Sequence, residues 1–248
     1  SDLGSSMAAV RRWLDGGEQR QVLTLGDPAY PRILLESPDP PLLLYVQGDP
    51  AHLAGPAIAV VGSRKPTPQG LDNARQFAQA FGEAGYAVVS GLALGVDGAA
   101  HEGALDAGAP TVAVVGTGLD RVYPRRHLEL ARRIAKQGAL VSEFLPGTPP
   151  LAENFPQRNR IIAGLSQGTV VVEAALQSGS LITARLANEA GREVFAVPGS
   201  IHAEQSRGCH ALIRDGARLV ESAAEVLDEL RQPALHLVST RAPAQAPI

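Results

Sequence analysis

The sequence predicts an α/β protein: a doubly wound, mostly parallel sheet with helices on both faces. Three observations carry this. Short apolar runs such as Ile58-Ala59-Val60-Val61 lack the alternation of a half-exposed strand, so both faces of each strand must be covered. These runs alternate with stretches of helical periodicity from Ala57 onward. The 26 glycines and 19 prolines supply the many tight turns such an alternation needs.

The elements follow in order. Residues 1–20 are small and polar, with Trp13 and Leu14 as the bulky pair of a partial helix at 8–14. Residues 21–56 are punctuated by prolines and hold one predicted strand, Leu42-Leu43-Leu44-Tyr45-Val46, in an extended lead-in that docks on the core. The main domain, 57–231, opens with the strand at 58–61. A helix at 68–82 follows, with Leu71, Ala74, Phe77, Ala78 and Phe81 at helical spacing. Strands are then predicted at 86–90, 111–115, 139–142, 169–172, 193–197 and 218–220. Between them, helices are predicted at 96–107, 126–137, 181–190, 209–215 and 223–230. Residues 232–248 read as a Pro/Ala-rich tail or linker.

Composition narrows the function classes. A formal net charge of -3 leaves room only for a local basic patch, not a global polyanion field. A single cysteine, Cys209, excludes an intramolecular disulfide framework and a cysteine-rich zinc site, and it reads as a small core residue. No apolar run approaches the roughly 20 residues that span a bilayer. No signal pattern opens the chain, so a cytoplasmic protein without membrane contact is expected.

The chemistry collects at the predicted strand ends. Gly62, Ser63, Arg64 and Lys65 follow the first core strand, and Gly91 follows the second. Ser178, Gly179, Ser180 and Thr183 open the helix after the fifth. Asn154-Phe155-Pro156-Gln157-Arg158-Asn159-Arg160 packs two guanidiniums, two carboxamides and a ring into seven residues. Asn154 and Pro156 predict an irregular entry, with a buried helix starting near Arg158 or Asn159. That would set the arginines at a helix N-terminus, where the dipole already favours an anion. Arginine forks suit phosphate, and Phe155 offers a stacking face. Neither G-x-G-x-x-G nor G-x-x-x-x-G-K-[ST] occurs, which disfavours a dinucleotide cofactor or a P-loop. No cofactor is expected.

Several blocks in this order resemble the DNA-processing protein A family (DprA, also called Smf). They are Val61-Gly62-Ser63-Arg64, Ser90-Gly91-Leu92-Ala93, Gly116-Thr117-Gly118-Leu119-Asp120 with Tyr123-Pro124, the arginine-rich motif with Ile161-Ile162, Val172-Glu173-Ala174, Ser178-Gly179-Ser180-Leu181-Ile182-Thr183-Ala184, and Val197-Pro198-Gly199. The resemblance covers roughly 21–231. It implies an extended Rossmann-like domain that binds single-stranded DNA, protects incoming DNA in natural transformation and loads RecA recombinase. It also implies a homodimer through the C-terminal part of the domain, here His210, Leu212, Ile213, Leu219 and Val220. Members often carry a helical N-terminal domain, which would leave residues 1–20 as a stub. Many carry a winged-helix-like C-terminal domain where this chain has its tail. His210 stands where many members have Asn.

The pocket implied joins Arg64, Arg158 and Asn159 with Phe155 and the 178–183 turn. Arg64 and Lys65 reach phosphate or stay solvated and ion-paired. Arg160 either joins them or is buried against Glu173 as scaffold. The run Arg121, Arg125, Arg126, Arg132, Arg133 and Lys136 extends the path or is a solvated helix face. Asp97 and His101 have the spacing of two metal ligands on a helix, but lack a third, so packing is preferred and no metal is expected. Glu143 and Glu173 read as capping or Arg-pairing groups rather than a catalytic pair. The competing class is an enzyme: a nucleotide phosphoribohydrolase acting on nucleoside monophosphates, with Glu173 and the 178–183 turn as its site. The P-G-G-x-G-T-x-x-E block of such enzymes is absent.

Overall fold

The computed structural model describes residues 3–231, so the predicted tail lies outside the described residues. Helix α1 (Leu3–Asp15) leads to β1 (Arg20–Thr24), α2 (Arg32–Leu35) and β2 (Leu43–Gly48). The core then alternates: β3 (Ala57–Val61), α3 (Pro68–Glu83), β4 (Ala87–Ser90), α4 (Val96–Asp106), β5 (Thr111–Val114), α5 (Leu128–Gln137), β6 (Ala139–Ser142) and α6 (Asn154–Gly164). It continues with β7 (Gly168–Val171), α7 (Ser180–Glu189), β8 (Glu193–Ala196), α8 (Arg207–Arg214), β9 (Arg218–Leu219) and α9 (Ala223–Arg231).

One nine-stranded sheet runs β1-β2-β6-β5-β4-β3-β7-β8-β9. The core strands β3 to β9 pair in parallel. The proline-punctuated segment is not an extended lead-in laid on this core. It supplies two more strands of the same sheet: β1 and β2 pair antiparallel, and β2 pairs antiparallel with β6, Val46 opposite Val141. Antiparallel pairing at an edge needs no crossover helix, which is why a short, proline-rich segment suffices.

Alternation along β3 sends Ile58 and Val60 to one face and Ala57, Ala59 and Val61 to the other. The first pair packs with Phe77 and Phe81 of α3, Val96 of α4 and Val226 of α9. The second set packs with Ile161 and Ile162 of α6, Ala184 of α7 and Cys209 of α8. Covering both faces is what permits strands with no polar alternation. From β3 the chain steps outward through β4, β5 and β6, then crosses to β7 on the other side of β3. The crevice beyond the carboxyl ends of β3 and β7 is therefore the topological switch point, where open α/β sheets hold ligands. This is the extended Rossmann-like, doubly wound arrangement.

Candidate functional site

A cleft of about 970 Å³ lies at this switch point. Its floor is the loop after β3. Ser63 N–H donates to the backbone O of Glu173 (2.6 Å), just past β7, and Lys65 N–H donates to Ser63 Oγ (3.0 Å). Thr67 caps α3 by accepting from Gly70 N–H, with Pro68 next in the first turn. The Glu173 carboxylate accepts from Thr67 N–H (2.9 Å) and Oγ1–H (2.6 Å), so Glu173 grips both ends of the loop. Across this loop, Gly95 adopts φ +82°, and a side chain there would strike the Ser63 carbonyl at 2.4 Å. Arg64 and Lys65 are exposed and line the cleft with Gly62 and Ser63.

The wall comes from α6, and its start corrects the sequence reading. The helix begins at Asn154, not near Arg158. Pro156 falls in the first turn, where its missing N–H had no partner to lose, so it does not break the helix. Arg158 and Arg160 therefore sit within the helix rather than at its N-terminus. Asn154 and Phe155 take the terminal place, with Asn154 Nδ2 donating to Gly116 O (3.0 Å).

The two arginines part company. Arg158 is 4% exposed and faces the sheet edge. Its Nη1 donates to the carbonyls of Gly91 (2.6 Å) and Val114, and its Nε to Asn159 Oδ1 (3.1 Å). Burial lowers its pKa to about 10, against the opposing pull of Asp97, so it stays charged at neutral pH. Asp97 accepts from Gly91 N–H (3.1 Å) and Ala93 N–H (3.3 Å); its burial raises the carboxyl pKa, with Arg158 opposing. Gly91, expected to touch the ligand, is instead the buried spacer between these two charges. A Cβ there would meet both the Arg158 guanidinium and Asp97 Oδ2 at 2.8 Å.

Arg160 turns to the opposite side and does not line the cleft. It makes a two-pronged pair with Glu143 (Nη1–Oε1 3.0 Å, Nη2–Oε2 2.6 Å), and its Nε donates to Asp39 (2.8 Å). The expected partner, Glu173, is occupied by Thr67.

Two guanidiniums approach the Phe155 ring, Arg64 at 5.6 Å and Arg158 at 5.7 Å from its centre. Ser178, Gly179, Ser180 and Thr183 form the facing wall. Ser178 and Ser180 share a hydroxyl hydrogen bond (2.7 Å), and Asn159 Nδ2 donates to Gly179 O (3.3 Å), so both ends of the Asn159 carboxamide are engaged. The space above Gly179 is open. Charges at the cleft are Arg64, Lys65, Arg158 and Arg207 against Asp97 and Glu204. The balance is positive on a chain that is negative overall, and the cleft combines ring and fork as a phosphate-and-base site does.

Sequence reasoning left several lining residues out of the site, among them Tyr123 and Arg207. Tyr123, 46% exposed, lies 5.6 Å from the Phe155 ring; in the sequence it is half of a Tyr-Pro pair and the one aromatic within the basic run 121–136. Arg207, at the start of α8, carried no signal beyond being a cation after a strand. His101 is not a ligand: buried, with Nδ1–H donating to Thr111 Oγ1 (2.7 Å), it is held neutral by burial, its pKa lowered to about 3. In the segment read as a dimer surface, Val220 is 3% exposed within the core and cannot contribute a face. Leu212 and Ile213 pack partly against the core, His210 Nε2 lies 3.0 Å from Gly199 O, and Leu219 is exposed.

Residues 21–231 match the model of a family described as DNA recombination-mediator protein A. Protein Smf of Escherichia coli (strain K12) is 50% identical over 203 residues, which make up 82% of this chain and 54% of that protein. The chain thus spans about half the length of that curated relative. The X-ray structure of DNA processing protein A from Streptococcus pneumoniae superposes with a TM-score of 0.84 at 44% identity, covering 90% of this chain and 78% of the other. DNA processing protein A of Helicobacter pylori, described for its single-stranded DNA binding mode, superposes with a TM-score of 0.76 at 32% identity, covering 85% and 95%.

Proposed function

The chain belongs to the DNA recombination-mediator protein A family, and from that premise we propose that its cleft binds single-stranded DNA with little sequence preference. The observation that carries this is the half-buried Phe155 ring lining the cleft at the switch point, with the Arg64 and Arg158 guanidiniums 5.6 and 5.7 Å from its centre. A ring stacks on any base, and forks hold any phosphate, so neither selects a sequence. Arg64, with Lys65 and the 178–183 turn, holds phosphate, while Arg158 and Asn159 position the wall and present Phe155.

In this reading the protein protects incoming DNA in natural transformation and hands it to RecA recombinase, and residues 57–231 are the binding unit. It assembles as a homodimer through the α8–β9 end, with exposed Leu219 on the contact and buried Val220 behind it; sedimentation showing only monomer at tens of micromolar (roughly the range of weak dimers) would remove that part. The cleft acts by binding and not by catalysis. The glutamate that a phosphoribohydrolase reading needs, Glu173, is spent on Thr67. Base release from nucleoside monophosphates would restore the enzyme reading.

The main test is a salt titration of oligo-dT binding, paired with thermal melts. Arg64→Ala should bind about ten- to a hundredfold more weakly, the loss of a charge-assisted contact of about 1.5–3 kcal/mol. Its melting temperature should not move, because Arg64 is exposed. Arg64→Lys should recover only part of the affinity. Unchanged affinity at unchanged stability would take Arg64 out of the site, and tighter binding to blunt duplex than to oligo-dT would overturn the reading.

A further inference from the structure

A second pocket, of about 340 Å³, shares no lining residue with the cleft. It forms where three parts of the chain meet. Helix α1 supplies Arg12 and Trp13, the start of β1 supplies Arg20, and the loops after β5 and β6 supply Asp120 and Gly147. Those two loops are tied together: Asp120 Oδ1 accepts from Gly147 N–H (2.6 Å), and Thr148 O accepts from Gly118 N–H (3.1 Å).

The charges here are unbalanced. Neither Arg12 nor Arg20 has a carboxylate partner among the described residues. Arg12 is exposed. Arg20 is half-buried; its guanidinium lies over the Trp13 ring at 5.6 Å, and its Nη1 donates to a neutral acceptor, Trp13 O (2.7 Å). Arg20 Nε is buried with no hydrogen-bond partner, and so is Trp13 Nε1, in a side chain 4% exposed. Asp120 is the one carboxylate among the described lining residues, and it is already engaged, by Gly147 at Oδ1 and by Arg121 Nη2 at 3.4 Å from Oδ2. Buried charge ordinarily has a counter-ion and a buried N–H an acceptor. Both are missing at the same corner of the fold.

We propose that this pocket binds a small organic acid through a single carboxylate, held by the Arg12 and Arg20 guanidiniums, with its apolar part against Ala9 and Pro146. The charge balance selects a singly charged group. Two guanidiniums against Asp120 leave one positive charge, and a phosphate dianion would bring more negative charge than that beside the Asp120 carboxylate. A guanidinium fork also matches a planar carboxylate. The volume lies near the lower end of the range for small-molecule sites. The bound acid bridges α1, β1 and the two loops, so it clamps the N-terminal helix to the core. Its binding does not depend on what the cleft holds.

Trp13 is the single tryptophan of the chain, so its fluorescence reports on this pocket. The experiment titrates the full chain with hexanoate, hexan-1-ol and inorganic phosphate at neutral pH and fixed ionic strength, reading Trp13 emission, with thermal melts alongside. Hexanoate should shift the emission along a saturable curve with a Kd of roughly 1 mM, the scale for so small a ligand. The melting temperature should rise with occupancy, because the acid binds only the folded chain. Arg12→Ala, at an exposed position, should melt as wild type does and bind hexanoate about ten- to a hundredfold more weakly. The charge-matched Arg11→Ala, exposed on the same helix and outside the pocket, should bind it as wild type does. An emission change that does not saturate, an equal response to hexan-1-ol, or an equal loss in Arg11→Ala overturns the proposal. Unchanged affinity in Arg12→Ala does the same, and phosphate binding more tightly than hexanoate overturns the assignment to a carboxylate.

Discussion

Arg158 and Arg160 lie two residues apart on one helix and have opposite fates. Arg158 points into the sheet edge, where it holds two carbonyls, faces Asp97 and flanks Phe155. Arg160 points to the outer side, where Glu143 and Asp39 neutralise it. A helix turns about 100° per residue, so two residues suffice to reverse the face. The lesson is that a cation in a binding motif is identified by what already satisfies it. Arg158 organises the site without being free, Arg160 is consumed by scaffold, and exposed Arg64 carries the available charge.

The comparison breaks most severely at Arg158. Arg158→Ala leaves two buried carbonyls and Asp97 without their donor and countercharge, and should cost about 3–5 kcal/mol of stability in urea unfolding. Arg158→Lys should recover little, because a point charge cannot reach two carbonyls and Asn159 at once. A binding defect at full stability would instead make Arg158 a direct ligand group.

Phe155→Leu keeps an apolar side chain of similar reach but removes the stacking face. Oligo-dT affinity should fall by about 1–3 kcal/mol, with stability changing by less than about 1.5 kcal/mol. Equal affinity would mean that the ring only fills space.

Arg160→Ala should show the inverse pattern. Breaking its mostly buried pair with Glu143 should cost about 1–3 kcal/mol of stability and leave oligo-dT affinity unchanged. In a double-mutant cycle with Glu143→Ala, the coupling should be at least about 0.5 kcal/mol. Lost affinity at constant stability would return Arg160 to the site.

The smallest effect needs no change at the helix. Buried Arg158 keeps its proton, but buried His101 gives it up, with a folded pKa of about 3 against 6.5 for a free imidazole. Below 6.5 the unfolded chain gains a proton that the folded chain does not, so stability falls with pH across that window and is unaffected above it. Between pH 6.5 and 5.5 the loss should be about 1 kcal/mol, and His101→Gln should lack that component.

The fold was legible where strands are buried on both faces. Ile58 to Val61 and Val88 with Val89 announce themselves because nothing polar interrupts them. β1 was not, since only Leu23 is fully buried in it and its partner strand lies beyond several prolines. The start of α6 was misread because Pro156 is a breaker everywhere except in a first turn. For the site, strand-end residues such as Arg64 and the 178–183 turn could be grouped from topology alone. The partners of Arg160 could not. Glu173 looked available until Thr67, 106 residues away in sequence, was found to hold it. Pairings of that kind are set by tertiary geometry, which spacing does not encode.

Glu173 also bears on how fast a ligand is captured. Its backbone and carboxylate fix the start and the end of the segment from Ser63 to Thr67 before anything binds. A receptor loop with little freedom left to lose places the ordering cost on the flexible strand. On the proposed single-strand reading, capture would need no closing motion of the loop, and the encounter itself would set the rate. The excess of positive charge lining the cleft would steer that encounter, so added salt should slow arrival.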